Sequence, residues 1–194
     1  PLGVATVDMA LRTLARDCAT AGRHLPAVRA VRLTRTHLEL YLAEPAVLPP
    51  GWTTPAGSGE GTHWRLQPDE TPVADARHLA DIPAPYPALV TLGHDQDDAH
   101  YLVDLEYLGG LGLTGPPERT RAALAAIVVE LATSSWADDV RLTVVGEFAG
   151  LEDVLASGRI RYLPTLGRAV EQLANRAERD RELLEYLDGL NVQP

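Results

Sequence analysis

The residues of this chain that could do chemistry begin with a glycine turn followed by arginines. Gly110-Leu-Gly-Leu-Thr-Gly115 runs into Pro116-Pro117-Glu118-Arg119-Thr120-Arg121-Ala122. A phosphate-binding loop needs Gly-x-x-x-x-Gly-Lys-Ser/Thr: backbone N–H groups cradle phosphates, Lys neutralises them, and the hydroxyl holds Mg²⁺. Counted from Gly115, Thr120 stands at the second Gly, Arg121 at the Lys and Ala122 at the Ser/Thr. The two prolines remove N–H donors, and Glu118 sets a negative charge where phosphates would sit. The turn reads as structural, with no catalytic or cofactor-binding residue assigned. Gly115, Arg119 and Arg121 are weak candidates for a phosphate contact.

A second cluster, His94-Asp-Gln-Asp-Asp-Ala-His100, brings two imidazoles and three carboxylates together, and these are usable metal ligands. The same composition favours a solvated hairpin tip, and no helix or fixed frame holds the side chains, so no metal site is assigned. Ser58, Ser134, Ser135 and Ser157 lack the context of an activated nucleophile. Cys18 sits on an apolar helix face and reads as core. Asp104, Glu106, Glu147 and Asp153 have no spacing that pairs any two as acid and base.

Composition narrows the chemistry further. All 17 basic residues are Arg, so Schiff-base catalysis, a lysine general base and a phosphate-loop lysine are excluded. The formal charge of -10 disfavours nucleic acid and anionic membranes as partners of this piece. The lone cysteine points to a reducing compartment, and no apolar run approaches the ~20 residues of a bilayer span. No cofactor is expected. Pro1-Leu-Gly3 reads as a tag remnant, which would make the chain a fragment of a larger protein.

The elements that must position these residues fall into two expected regions. Residues 4–82 read as a small α+β subdomain. It has a helix over Val7–Ala21, an antiparallel hairpin of Ala30–Arg35 and His37–Leu42, a loop over Pro45–Gly61, a third strand over Thr62–Gln67 and a short helix over Ala74–Ala80. Pro83–Pro87 is a stiff connector. Residues 83–194 then read as a degenerate P-loop-like α/β domain, with a C-terminal truncation as one reading. Its hairpin pairs Ala88–Leu92 with His100–Leu105, and a helix over Arg119–Thr133 is apolar around most of its circumference and so expected to be buried. A strand at Arg141–Val145, a short helix at Leu151–Ala156, a strand at Ile160–Leu163 and a long helix from Gly167 to Leu187 complete it. That last helix bears an apolar stripe of Val170, Leu173, Ala177, Leu184 and Leu187. Its charged face (Glu171, Arg176, Glu178, Arg179, Asp180, Arg181, Glu182) reads as solvated with i,i+4 pairs, or as a docking surface for a neighbouring domain. Strand, glycine turn, helix and strand from Tyr101 to Gly146 suggest a βαβ unit.

On those segments the stretch from Leu102 to about Leu187 resembles the front half of an FtsK/SpoIIIE-type motor domain. The likeness rests on Leu111-Gly-Leu-Thr-Gly115, Leu124–Thr133, Val140–Gly146 and Arg176-Ala-Glu-Arg-Asp-Arg-Glu-Leu-Leu184. It implies a three-layer P-loop-like sheet with helices on both faces. Gly146 replaces that family's acid, so no catalytic residue is carried over. A resemblance covering nearly the whole chain is to the central region of large actinobacterial proteins that combine membrane segments and a LysM module with a bacterial transcriptional activator (BTAD) domain. It rests on Pro87-Ala-Leu-Val-Thr-Leu-Gly93, Leu102-Val-Asp-Leu-Glu106, Leu113-Thr-Gly-Pro-Pro117 and Glu130-Leu-Ala-Thr-Ser-Ser-Trp-Ala-Asp-Asp139. It implies a cytoplasmic, non-enzymatic interaction or regulatory module of a parent protein that carries membrane segments, whose partners are other domains of that parent or another protein. The alternative is a non-hydrolysing nucleotide or small-ligand sensor.

Overall fold

The first helix, α1 (Val4–Thr20), places Val7, Ala10, Leu11, Leu14 and Cys18 along one buried face. That spacing of three and four residues makes one apolar stripe on the helix expected over Val7–Ala21. The stripe shares one core with β1 (Val28–Leu33) and β2 (Leu38–Leu42), an antiparallel hairpin. Leu38, Leu40 and Leu42 point into this core because side chains alternate along a strand. Glu39 and Tyr41 therefore lie on the opposite face. The computed structural model describes residues 3–58, 61–67, 79, 81–137 and 140–191. The helix expected over Ala74–Ala80 lies outside them apart from Leu79, as do Pro1 and Leu2.

One expected strand and one unexpected strand extend the hairpin. β4 (His63–Leu66) returns antiparallel to β2, and a two-residue strand, β3 (Trp52–Thr53), pairs with its outer edge inside the stretch read as loop. β5 (Leu89–His94) and β6 (His100–Asp104) form the second hairpin, with β6 against β1. The result is one sheet in the order β3-β4-β2-β1-β6-β5. After β6 come a single-turn helix, α2 (Leu105–Leu108), capped by Asp104, and α3 (Pro117–Thr133).

This pairing departs from the three-layer P-loop-like arrangement. A βαβ unit would set the strand after α3 parallel to β6. A strand has two hydrogen-bonding edges, and those of β6 are already occupied by β1 and β5, both antiparallel. The next strand, β7 (Leu142–Val145), pairs instead with β8 (Ile160–Leu163), in parallel and in a separate two-stranded sheet. The observed class is mixed α/β with an antiparallel main sheet. The chain divides into two compact units, Pro1–Val140 and Arg141–Pro194. The boundary expected at 82/83 falls instead between β4 and β5 of the same sheet.

α3 also differs from expectation. Ile127, Val128, Leu131 and Ala132 are buried, while Leu124 and Val129 are exposed. The helix packs on β5, to which Glu130 holds it. Both the backbone N–H and the hydroxyl of Thr91 donate to its carboxylate, at 2.8 and 2.7 Å. Just beyond, buried Trp136 donates its indole N–H to the Leu89 carbonyl at 2.9 Å and so seals the turn after the helix.

In the second unit, α4 (Leu151–Leu155) connects β7 to β8, and α5 (Leu166–Asn191) follows. These match the expected elements closely. Among the described residues no helix is long and apolar enough to cross a membrane.

Candidate functional site

Cross-strand register on the open face of the main sheet aligns Arg65, Glu39, Arg32 and Tyr101 in one row over β4, β2, β1 and β6. Glu39 is 2 % exposed although it lies on the face away from the core, because its neighbours cover it. Arg65 donates to Oε1 from Nε at 3.1 Å and from Nη2 at 2.7 Å. Tyr41 donates its hydroxyl to Oε2 at 3.1 Å, and Arg32 Nη1 reaches the same oxygen at 3.4 Å. His37 Nε2 and His63 Nε2 stand 3.3 and 3.6 Å from the carboxylate. Tyr41 and His63 stack with ring centroids 4.5 Å apart.

The electrostatics follow from this crowding. Burial works to raise the Glu39 pKa, but donation from Arg65 and Tyr41 overrides it and holds the acid at about 2. Burial beside the Glu39 charge pushes Tyr41 up to about 12. His37 is lowered, by burial first and then by the Arg65 charge. Glu39 is thus a permanently ionised, fully engaged carboxylate at neutral pH. It organises the cations around it.

The row continues into the histidine-bearing tip. Arg32 donates to Asp95 Oδ2 at 3.3 Å and to the Tyr101 hydroxyl at 2.9 Å. Asp95 Oδ1 in turn accepts from the backbone N–H groups of Asp97 and Ala99 at 2.9 and 3.0 Å. Asp95 is therefore the keystone of the β5–β6 turn. His94 and His100 lie with ring centroids 6.0 Å apart. Among the described residues no three His, Cys, Asp or Glu are grouped to hold a metal ion.

The glycine turn lies elsewhere. Gly115, Arg119 and Arg121 are all exposed, and α3 starts at Pro117 with Pro116 as its N-cap and no side-chain cap. Thr120, at the position of the second loop glycine, donates its hydroxyl to the Pro117 carbonyl at 3.0 Å. Nothing in this geometry gathers N–H groups around an anion.

Three of the remaining sequence candidates make contacts within the main unit. Cys18 is buried in the core, and burial raises its thiol pKa. Asp104 is buried and accepts the Glu106 N–H at 3.0 Å; burial raises its pKa. The Ser134 hydroxyl donates to the Glu130 carbonyl at 2.6 Å. Arg12, unremarked in the sequence, is 8 % exposed and ties α1 to the chain connections. It contacts Asp8 at 2.8 Å, donates to the Ser135 carbonyl at 3.1 Å, and also donates to the Ile82 carbonyl.

In the second unit, α5 shows the expected surface pairs, Arg176–Asp180 at 3.5 Å and Arg181–Glu185 at 3.7 Å. Its apolar row is not covered. Leu166, Val170, Leu173 and Leu184 are between 55 and 68 % exposed. Comparison with family models, curated proteins and solved structures returns no match.

Proposed function

We propose that this chain is a non-catalytic interaction or regulatory module of a larger protein, and that it docks through α5. The observation that carries the reading is the uncovered row of Leu166, Val170, Leu173 and Leu184 on a 26-residue helix. These residues recur at helical spacing and so lie on one face. A continuous apolar row in water is stabilised by meeting another apolar surface, at about 25 cal/mol per Å² removed from water. The occupant we assign is an apolar helix from another domain of the parent protein, paired at i, i+3, i+4 and i+7 positions. The fully engaged state of Glu39 supports a binding rather than a catalytic role. The free, buried Cys18 supports residence on the cytoplasmic side.

Cysteine footprinting tests the reading, since buried Cys18 gives a quiet background. Val170→Cys and Leu184→Cys should react with a maleimide about tenfold or more slowly in the whole parent protein than in this chain. Glu182→Cys, on the opposite face of α5, should react equally fast in both. Equal rates at all three positions would overturn the proposal.

A further inference from the structure

The second unit contains a cleft of about 800 Å³ between α5 and the β7–β8 pair, and arginines line it. We propose that this cleft binds a diphosphate group, either free pyrophosphate or the diphosphate of a nucleotide. Arg161 of β8 lines it, with Arg141 and Arg159 from the positions just before β7 and β8, and Arg176 and Arg179 from one turn of α5. These are five of only 17 basic residues in a chain of net charge -10. One carboxylate, Asp180, joins them; its contact with Arg176 is 3.5 Å long and both side chains are more than half exposed.

Cations that line one cleft raise the local positive potential and favour an anion there. The guanidinium fork matches two oxygens of one phosphoryl group, which an ammonium cannot do. Arg161 is already oriented, donating to Gln172 Oε1 at 3.3 Å. Among the described residues no ion pair or hydrogen bond engages the side chains of Arg141 and Arg179. A set of cations on or just before the strands and a helix-borne set facing one cleft suit two linked phosphoryl groups better than one. Leu142, Ile160 and Leu183 supply apolar wall, and the volume falls in the range of small-ligand sites. The sequence offered Arg119 and Arg121 as phosphate partners; the arginines that converge are others.

The cleft shares Leu173 with the docking row, but its arginines lie outside that row, and neither Val170 nor Leu184 lines it, so the arginine substitutions and the footprinting positions test the two readings separately. The test is calorimetric titration of the chain with pyrophosphate, ADP, sulfate and a short DNA duplex, at about 0.15 M salt to screen non-specific attraction. We expect saturable one-to-one binding of pyrophosphate, about tenfold or more tighter than sulfate. Arg161→Gln and Arg179→Gln should each weaken it by about tenfold, with circular dichroism confirming an unchanged fold. Arg141→Gln, at an exposed strand start, serves if either variant unfolds, and Arg119→Gln should bind as the wild type does. Tighter binding of ADP than of pyrophosphate would assign the apolar wall to a nucleoside; equal binding would assign the free diphosphate. No saturable binding, equal affinity for sulfate, indifference to the arginine substitutions, or a preference for duplex DNA would each overturn the proposal.

Discussion

Arg65 Nη2 lies 2.7 Å from Oε1 of Glu39, across the β2–β4 pairing and on the face of the sheet away from its core. Arg32 meets Oε2 of the same carboxylate from the other side at 3.4 Å. One acid thus neutralises cations on both neighbouring strands, and it is itself removed from water by them.

The first prediction concerns that acid. Glu39→Ala leaves two guanidinium groups and two imidazoles around a lost partner, and it should cost about 2–4 kcal/mol of stability. Arg65→Ala should cost less, about 1 kcal/mol, because the Arg65 side chain is 37 % exposed and solvent replaces part of its interaction. Urea unfolding of both variants checks the order. A larger loss for Arg65→Ala would contradict the central place given to Glu39.

The second prediction is a loss of stability in acid. Glu39 has a folded pKa of about 2 against an ordinary 4.5, so its contribution is complete above the ordinary value and is lost as pH falls through it towards 2. His37 is lowered from 6.5, so the fold favours its neutral form and also weakens as pH falls below that value. Asp104 is raised and acts in the opposite sense, softening the slope at the acid end. Urea midpoints should therefore decline from about pH 7 to about pH 3, and Glu39→Gln should flatten the lower part of that decline. A wild-type midpoint unchanged over this range would contradict the assignment.

The third prediction separates the two possible boundaries. A fragment of residues 1–140 keeps every strand of the main sheet together with α1 and α3, and it should unfold cooperatively by circular dichroism. A fragment of residues 83–194 leaves β6 without β1 and removes α1 from the core, so it should lack a cooperative transition. Cooperative unfolding of the second fragment and not the first would restore the boundary near residue 82.

What the sequence determined by itself was local. The stripe of Leu11, Leu14 and Cys18 foretold α1, and the alternation of Leu38, Leu40 and Leu42 foretold a half-buried strand, since both periods are set by backbone geometry. The same alternation placed Glu39 on the outer face, but it could not show that cations from two other strands would bury it there. That depends on register between segments distant in sequence, which only the assembled sheet specifies. The glycine turn and its prolines were legible as a turn leading into a helix, and α3 does start at Pro117. The partners of β6 were not, because strand edges are filled by competition across the whole chain, and β1 and β5 occupy both. The arginines of the second-unit cleft belong to the same class. They lie up to 38 positions apart, from Arg141 to Arg179, and no motif links them. Parallel pairing of β7 with β8, with α5 following, is what brings their charges to one place.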